Sequence, residues 1–235
     1  MSANLDELAR LAGDAAMDAW LAVPGDWVEE PNERRGGLSG VKRILSTDGR
    51  QLYRKQQFGH LFRSWQHPFG YPTAMRERDA LVHCQRLGVP VPELIFAGCR
   101  KHRGDWQAIL VTEGLEGFRS LEECYLNKQE LEWGEALHLQ LLQEVGCVLG
   151  RLNSGKRQHG CLYLKHVFVR VRGDAVDVAL IDLEKSRKRL TRWRAARHDL
   201  RQIARRSPWT ASQWQAFLDG YRASYGADAP APVRG

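Results

Sequence analysis

The chain changes its hydrophobic period once, near Gly114, and that change limits the folds open to it. Before it, apolar residues recur mostly at the two-residue spacing of strands; after it they recur at helical spacing. Leu5, Leu8, Leu11, Ala15, Ala16, Trp20 and Leu21 share a helical stripe, which predicts an N-terminal helix over 5–21. A short strand is expected over 26–30 and a loop over 31–40. Strands at 41–45 and 51–57 flank Ser46-Thr47-Asp48-Gly49, and Asp-Gly tolerates the positive φ of tight hairpins. Thr73 as N-cap and Gly88 as stop bound a helix over 74–87, which Val89-Pro90-Val91-Pro92 cannot continue. A second antiparallel pair is expected at 94–98 and 107–112, then a hinge at 112–117. Helices follow at 121–125 and 137–152, the latter apolar around much of its surface and therefore buried. A hairpin over 167–183 and helices to about Tyr225 complete the pattern. The fold class is α+β: an N-terminal helix (1–24), a β-rich lobe with one helix (25–113) and a mainly helical lobe (114–235).

Composition excludes several classes. A chain of 235 residues with 43% hydrophobic and 27% charged content has the material for a core. No run of apolar residues is long enough to span a bilayer, and the N-terminus lacks the features of a secretory signal. Five scattered cysteines without a C-x-x-C read as reduced thiols of a cytosolic protein. The net charge of +7 is concentrated: residues 185–206 hold ten Lys/Arg and one Asp, leaving the remainder near −2. Such a strip suits a polyanion: anionic lipid headgroups, phosphorylated sugars or, ranked last for want of a helix-turn-helix or stacking motif, nucleic acid.

Residues 159–169 read His-Gly-Cys-Leu-Tyr-Leu-Lys-His-Val-Phe-Val, and Leu180-Ile181-Asp182-Leu183-Glu184 follows. A loop opening on His, then a polar ligand, a hairpin and an Asp leaving a buried strand is how protein-kinase-like enzymes build a phosphoryl-transfer site. In that pattern His159 braces the loop, while His166 and Asp182 are the metal ligands. Cys161 holds the position of the general base. A free thiol is mostly protonated at neutral pH unless cations lie beside it, and Lys165 and the basic strip are the cations at hand. On the nucleotide side, Gly36, Gly37 and Gly40 in a glycine-rich run would let backbone N–H groups approach phosphates. Lys55 on the third strand and Glu77 on the next helix would form the pair that holds the α- and β-phosphates. Arg54, with Glu93 or Asp79, is the alternative register. Glu113, in the hinge, completes the nucleotide-side set.

Taken together, His159-Gly-Cys161-Leu-Tyr163-Leu-Lys-His166 with Ile181-Asp182-Leu183 resembles the bacterial lipopolysaccharide kinase family, in its InaA-like branch related to the WaaP-type heptose kinases. Glu30-Pro31-Asn32-x-Arg34-Arg35-Gly36-Gly37-x-Ser39-Gly40 and Glu77-Arg78-Asp79-Ala80-Leu81 agree, and the similarity spans about 25–205. The resemblance implies a bilobal protein-kinase-like fold and transfer of phosphate from ATP, with Mg2+, to a sugar hydroxyl of the lipopolysaccharide core. It implies a cytoplasmic site of action, with peripheral contact to the anionic inner-membrane surface. Tyr163 and His166 match the family; Cys161 departs from the heptose kinases, which keep Asp there. Two readings follow: a phosphotransferase acting on a core sugar or other anionic saccharide, and a pseudokinase that binds without turnover.

Overall fold

The computed structural model describes residues 3–34 and 37–230. The chain forms two compact units, Met1–Asp79 with Pro92–Glu116 and Ala80–Val91 with Gly117–Gly235.

In the first unit α1 (Leu5–Ala9) and α2 (Gly13–Ala22) precede β1 (Asp26–Arg34), β2 (Gly37–Leu45) and β3 (Gln51–Phe58). A two-stranded ribbon, β4 (Leu61–Phe62) and β5 (Tyr71–Pro72), leads into α3 (Thr73–Arg86), and β6 (Leu94–His102) and β7 (Asp105–Glu113) follow. The sheet order is β1-β2-β3-β7-β6, antiparallel throughout. The single N-terminal helix expected over 5–21 is two helices. The chain turns between them at Gly13, whose φ of 57° a residue with a side chain adopts at a cost. Leu8, Met17 and Trp20 pack on Ile44, Leu52, Ile109 and Val111; burying each large side chain contributes about 1.5–3 kcal/mol relative to exposure.

Side-chain alternation puts Arg54 and Lys55 on opposite faces of β3. Arg54 points to the covered face and is 1% exposed. Its guanidinium donates to the carbonyls of Trp20 and, at 2.8 Å, Val23, which a helix terminus leaves without intrahelical partners. Lys55 therefore points to the opposite face. The cap expected from Thr73 is supplied instead from β3: Gln57 Oε1 accepts from Ala74 N at 2.9 Å and from the Thr73 hydroxyl at 3.0 Å.

The second unit takes the chain from Ala80 to Val91, including the end of α3, so the helix expected wholly in the first lobe contributes to both. Arg151 donates to Gly88 O at 2.8 Å and Leu180 N to Pro90 O at 3.0 Å, which anchors that segment here. Next come β8 (Arg119–Ser120), α4 (Leu121–Leu126), α5 (Gln129–Ser154, interrupted at Gly134) and β9 (Arg157–Gln158). A 3-10 turn (Leu164–His166), β10 (Val167–Arg172), β11 (Ala175–Leu180) and a second 3-10 turn (Leu183–Lys185) carry the candidate site. The unit ends with β12 (Arg187–Lys188), α6 (Arg192–Ala204) and α7 (Ala211–Tyr225). Its core is α5 against α7, with Leu142, Val145 and Leu149 among the buried residues of one and Phe217 and Tyr221 of the other. Gly146 and Gly220 let the two backbones touch; a Cβ at either position would strike a main-chain carbonyl of the opposite helix. Among the described residues no helix is long and apolar enough to cross a membrane.

Candidate active site

The loop after β9 is held from α6 by one buried acid. Asp199 lies on the buried stripe with Ala195, Ala196 and Leu200, and is itself 0% exposed. Its Oδ2 accepts from His159 N at 2.7 Å and Asn153 Nδ2 at 2.9 Å, and its Oδ1 from Gly160 N at 3.1 Å. One turn on, Gln202 Oε1 accepts from Leu162 N at 2.8 Å. Asn153, buried on α5, also donates to Arg157 O at 2.9 Å and accepts from the Tyr221 hydroxyl at 2.9 Å. Backbone donors that a tight loop would leave orphaned are thus satisfied by side chains, and charge-assisted bonds of this kind are the strong ones.

His159 is enclosed by this frame. Nε2 donates to Ile181 O at 3.0 Å and Nδ1 accepts from Cys161 N at 3.4 Å. Both nitrogens are engaged by the neutral ring, and burial holds its pKa below the usual histidine value. His159 therefore braces the loop and ties it to the end of β11.

Three side chains with reactive or ligating atoms meet beyond it. His166 Nδ1 lies 2.7 Å from Cys161 O; a carbonyl only accepts, so Nδ1 carries the hydrogen. Nε2 then faces Asp182 Oδ2 at 3.2 Å. Asp182 leaves β11 in the left-handed region, with φ of 57°, and its side chain is 38% exposed. Non-glycine residues hold such angles only where the surroundings impose them, and such sites cluster at functional positions. Cys161 is buried, with its Sγ 3.7 Å from the Lys185 ammonium. The ligand atoms of Cys161, His166 and Asp182 all lie within 4.8 Å of one another. For magnesium, Asp182 supplies the oxygen that a hard ion takes and His166 a usable nitrogen, whereas the Cys161 sulfur is a poor donor.

Of the cations expected beside Cys161, Lys165 and the basic strip, it is Lys185, the first residue of the strip, that reaches it. The 3-10 turn directs Leu164 and His166 inward and leaves Lys165 exposed, its ammonium 5.8 Å from the centroid of the Tyr163 ring. Arg206 covers the same ring at 3.8 Å.

In the first unit Lys55 Nζ and Glu77 Oε2 are 2.8 Å apart, with both side chains more than four-fifths buried. The neighbouring strands β1 and β2 extend through most of the run expected to be a loop: Gly37 pairs with Arg34, and Gly40 with Gln56. Gly36 lies outside the described residues. Gly37 and Gly40 have a packing reason for lacking a side chain, since a Cβ would strike the Gly59–His60 backbone or the Glu29–Pro31 backbone respectively. Glu113 closes β7 and pairs with Arg50 at 3.2 Å.

On and beside α6 the basic strip lines a hollow of about 770 Å³, with Arg189, Arg194, Arg197, Arg201, Arg205 and Arg206 in its wall. Trp193 and Gln202 also line it, so the residue that holds Leu162 in the loop borders the arginine-rich surface. Sequence reasoning missed Asp199, Asn153 and Gln202 as braces of the loop. The available signal for Asp199 was its isolation, one acid among ten cations and on an otherwise apolar helical stripe.

Over 205 residues the chain is 40% identical to Protein InaA of Escherichia coli (strain K12), covering 87% of this chain and 94% of that one. WaaP, solved in complex with acyl carrier protein, superposes with a TM-score of 0.65 at 21% identity, covering 88% of this chain and 81% of WaaP. The amicoumacin kinase hAmiN, solved with AMP-PNP, Ca2+ and Ami, gives 0.59 at 12% identity, covering 95% and 81%. The α+β architecture is accordingly kinase-like, and residues 18–221 match the family described as Lipopolysaccharide kinase (Kdo/WaaP). With that match over most of its length, the chain belongs to the lipopolysaccharide kinase (Kdo/WaaP) family.

Proposed function

We propose that the chain is an ATP-dependent phosphotransferase that phosphorylates a hydroxyl of a lipopolysaccharide core sugar or a related anionic saccharide. The observation that carries this reading is the braced loop: His159 and Gly160 held by Asp199, with His166 and Asp182 facing each other at its end. Phosphoryl transfer depends mainly on positioning and electrostatics, and such a frame supplies positioning. Lys55, paired with Glu77, is assigned to the α- and β-phosphates. Asp182 and His166 are assigned to a divalent ion, which when bound neutralises phosphate charge and orients the transferred group. The guanidinium-lined hollow on α6 is assigned to the anionic groups of the acceptor, because planar guanidinium forks match carboxylate and phosphate. It also suits peripheral contact with an anionic membrane surface on the cytoplasmic side.

The test is incubation of the full chain with labelled ATP, Mg2+ and purified core oligosaccharide. A phosphorylated sugar is expected from the wild type and none from Asp182→Ala; equal product from both rejects the assignment. Cys161 in the base position favours a second reading, a pseudokinase. Cys161→Asp separates the two: a kinase retains or gains turnover, and a binding protein yields no product with either residue.

A further inference from the structure

Cys161, His166 and Asp182 bring together a sulfur, a nitrogen and an oxygen donor within 4.8 Å. His166 donates Nδ1–H to Cys161 O at 2.7 Å. That is the arrangement by which metal-binding histidines are oriented: one ring nitrogen fixed on a carbonyl, the lone pair of the other presented to the ion. Here the lone pair is presented toward the Asp182 carboxylate at 3.2 Å. Two acceptors at that separation repel unless a cation lies with them. A proton on Nε2 would meet this need for His166 and Asp182, but it gives the buried sulfur no part. A metal ion engages all three. Residue 161 then acts twice, its carbonyl orienting the histidine and its sulfur binding the ion.

We propose that Cys161, His166 and Asp182 form a three-ligand site for a borderline divalent ion of the zinc class, with Cys161 a metal ligand and not a general base. Sulfur, imidazole and carboxylate donors suit zinc or cobalt(II), whereas magnesium prefers an all-oxygen, octahedral set. The partial exposure of Asp182 leaves a fourth position open to water or an anionic oxygen. On binding, the Cys161 S–H bond breaks, its proton goes to solvent and a sulfur–metal bond forms, with no change of oxidation state. Lys185, 3.7 Å from the sulfur, is the like-charged group the ion must work against. The inference deepens the phosphotransferase reading by naming its ion, and rests on it only for the use of the open position.

The experiment is titration of metal-free, full-length protein with Co2+, followed by displacement with Zn2+ and with Mg2+. One equivalent of Co2+ should produce a thiolate-to-metal charge-transfer band. Zn2+ should abolish the band at near-stoichiometric amounts, and Mg2+ should leave it in large excess. Cys161→Ser should remove the band and weaken Zn2+ by more than the roughly 10–100-fold that loss of an outer-shell partner costs. Lys185→Met should tighten Zn2+ while keeping the band. A Zn2+-dependent rise in Tm, absent in His166→Ala, reads the same site without a chromophore. The proposal is overturned if no band forms, if the band survives Cys161→Ser and so arises from another cysteine, or if Mg2+ displaces the ion as readily as Zn2+. These readouts do not involve turnover. A bound ion without sugar phosphorylation defeats the kinase reading alone, and phosphorylation with Mg2+ but no band defeats the metal proposal alone.

Discussion

The Lys55–Glu77 pair and the tip of the 159–166 loop solve their electrostatic problems in opposite ways. The pair in the first unit joins an ammonium and a carboxylate, two hard groups at 2.8 Å. The loop tip in the second unit has a thiol where that arrangement would suggest a carboxylate, and its ammonium, from Lys185, stands 3.7 Å from sulfur. Yet the frame of the loop is conventional, with two backbone donors and an amide converging on Asp199. The difference teaches that scaffold and reacting atom are separable. The braces from Asp199 and His159 hold backbone N–H groups of residues 159–161, so they do not depend on the side chain at position 161.

The largest expected effect tests the frame. Asp199→Ala leaves two loop N–H groups and the Asn153 amide without their acceptor, and should cost about 3–5 kcal/mol, read by denaturant unfolding. Cys161→Ser should cost about 1 kcal/mol or less, since a small side chain replaces a small one. Comparable losses from the two variants would break the distinction between frame and tip.

Next is the pair itself. Lys55→Met removes the ammonium from a largely buried Glu77 carboxylate and should lower stability by about 1–3 kcal/mol. It should also weaken AMP-PNP binding at least tenfold by calorimetry. Unchanged nucleotide affinity would remove Lys55 from the nucleotide side.

Acid should loosen the second unit. Burial holds His83, His138 and His159 below the usual histidine pKa, so near neutrality the unfolded chain binds more protons than the folded one as pH falls. The sign is therefore a loss of stability beginning at about pH 6.5 and growing until the folded-state values are reached. A Tm that is flat between about pH 7 and 5 would contradict it. The smallest stability effect belongs to the hollow: Arg197→Ala with Arg201→Ala should change stability by less than about 0.5 kcal/mol per site, yet reduce the salt-sensitive affinity for phosphorylated oligosaccharide.

The sequence made some of this legible for physical reasons. The Lys55–Glu77 pair was found because a lysine on a strand followed by a glutamate early on the next helix is the order in which kinase-like sites build such an ion pair. The loop from His159 to His166 and the following Asp182 were found because their order is set by a strand-turn-strand path. Asp199 was missed because it lies forty residues from the loop it braces, inside a run that reads as solvated charge. Lys165 was named singly and Lys185 only as part of the basic strip, because the direction of a side chain in a 3-10 turn is not encoded in proximity along the chain. The glycines at 37 and 40 read as part of a phosphate-covering loop; they lie in paired strands, where close backbone approach leaves no room for a Cβ.

Arg54 has a consequence for how this chain can vary. Its guanidinium lies under α2 and takes its partners from the last turn of that helix and the residue after it. A descendant that sheds the first two dozen residues inherits a cation stripped of its acceptors, and one that replaces Arg54 inherits a helix end with unanswered carbonyls. Helix and arginine should therefore be gained and lost as a single hereditary trait, and relatives without the leading helix should carry a neutral residue at the matching place on the third strand.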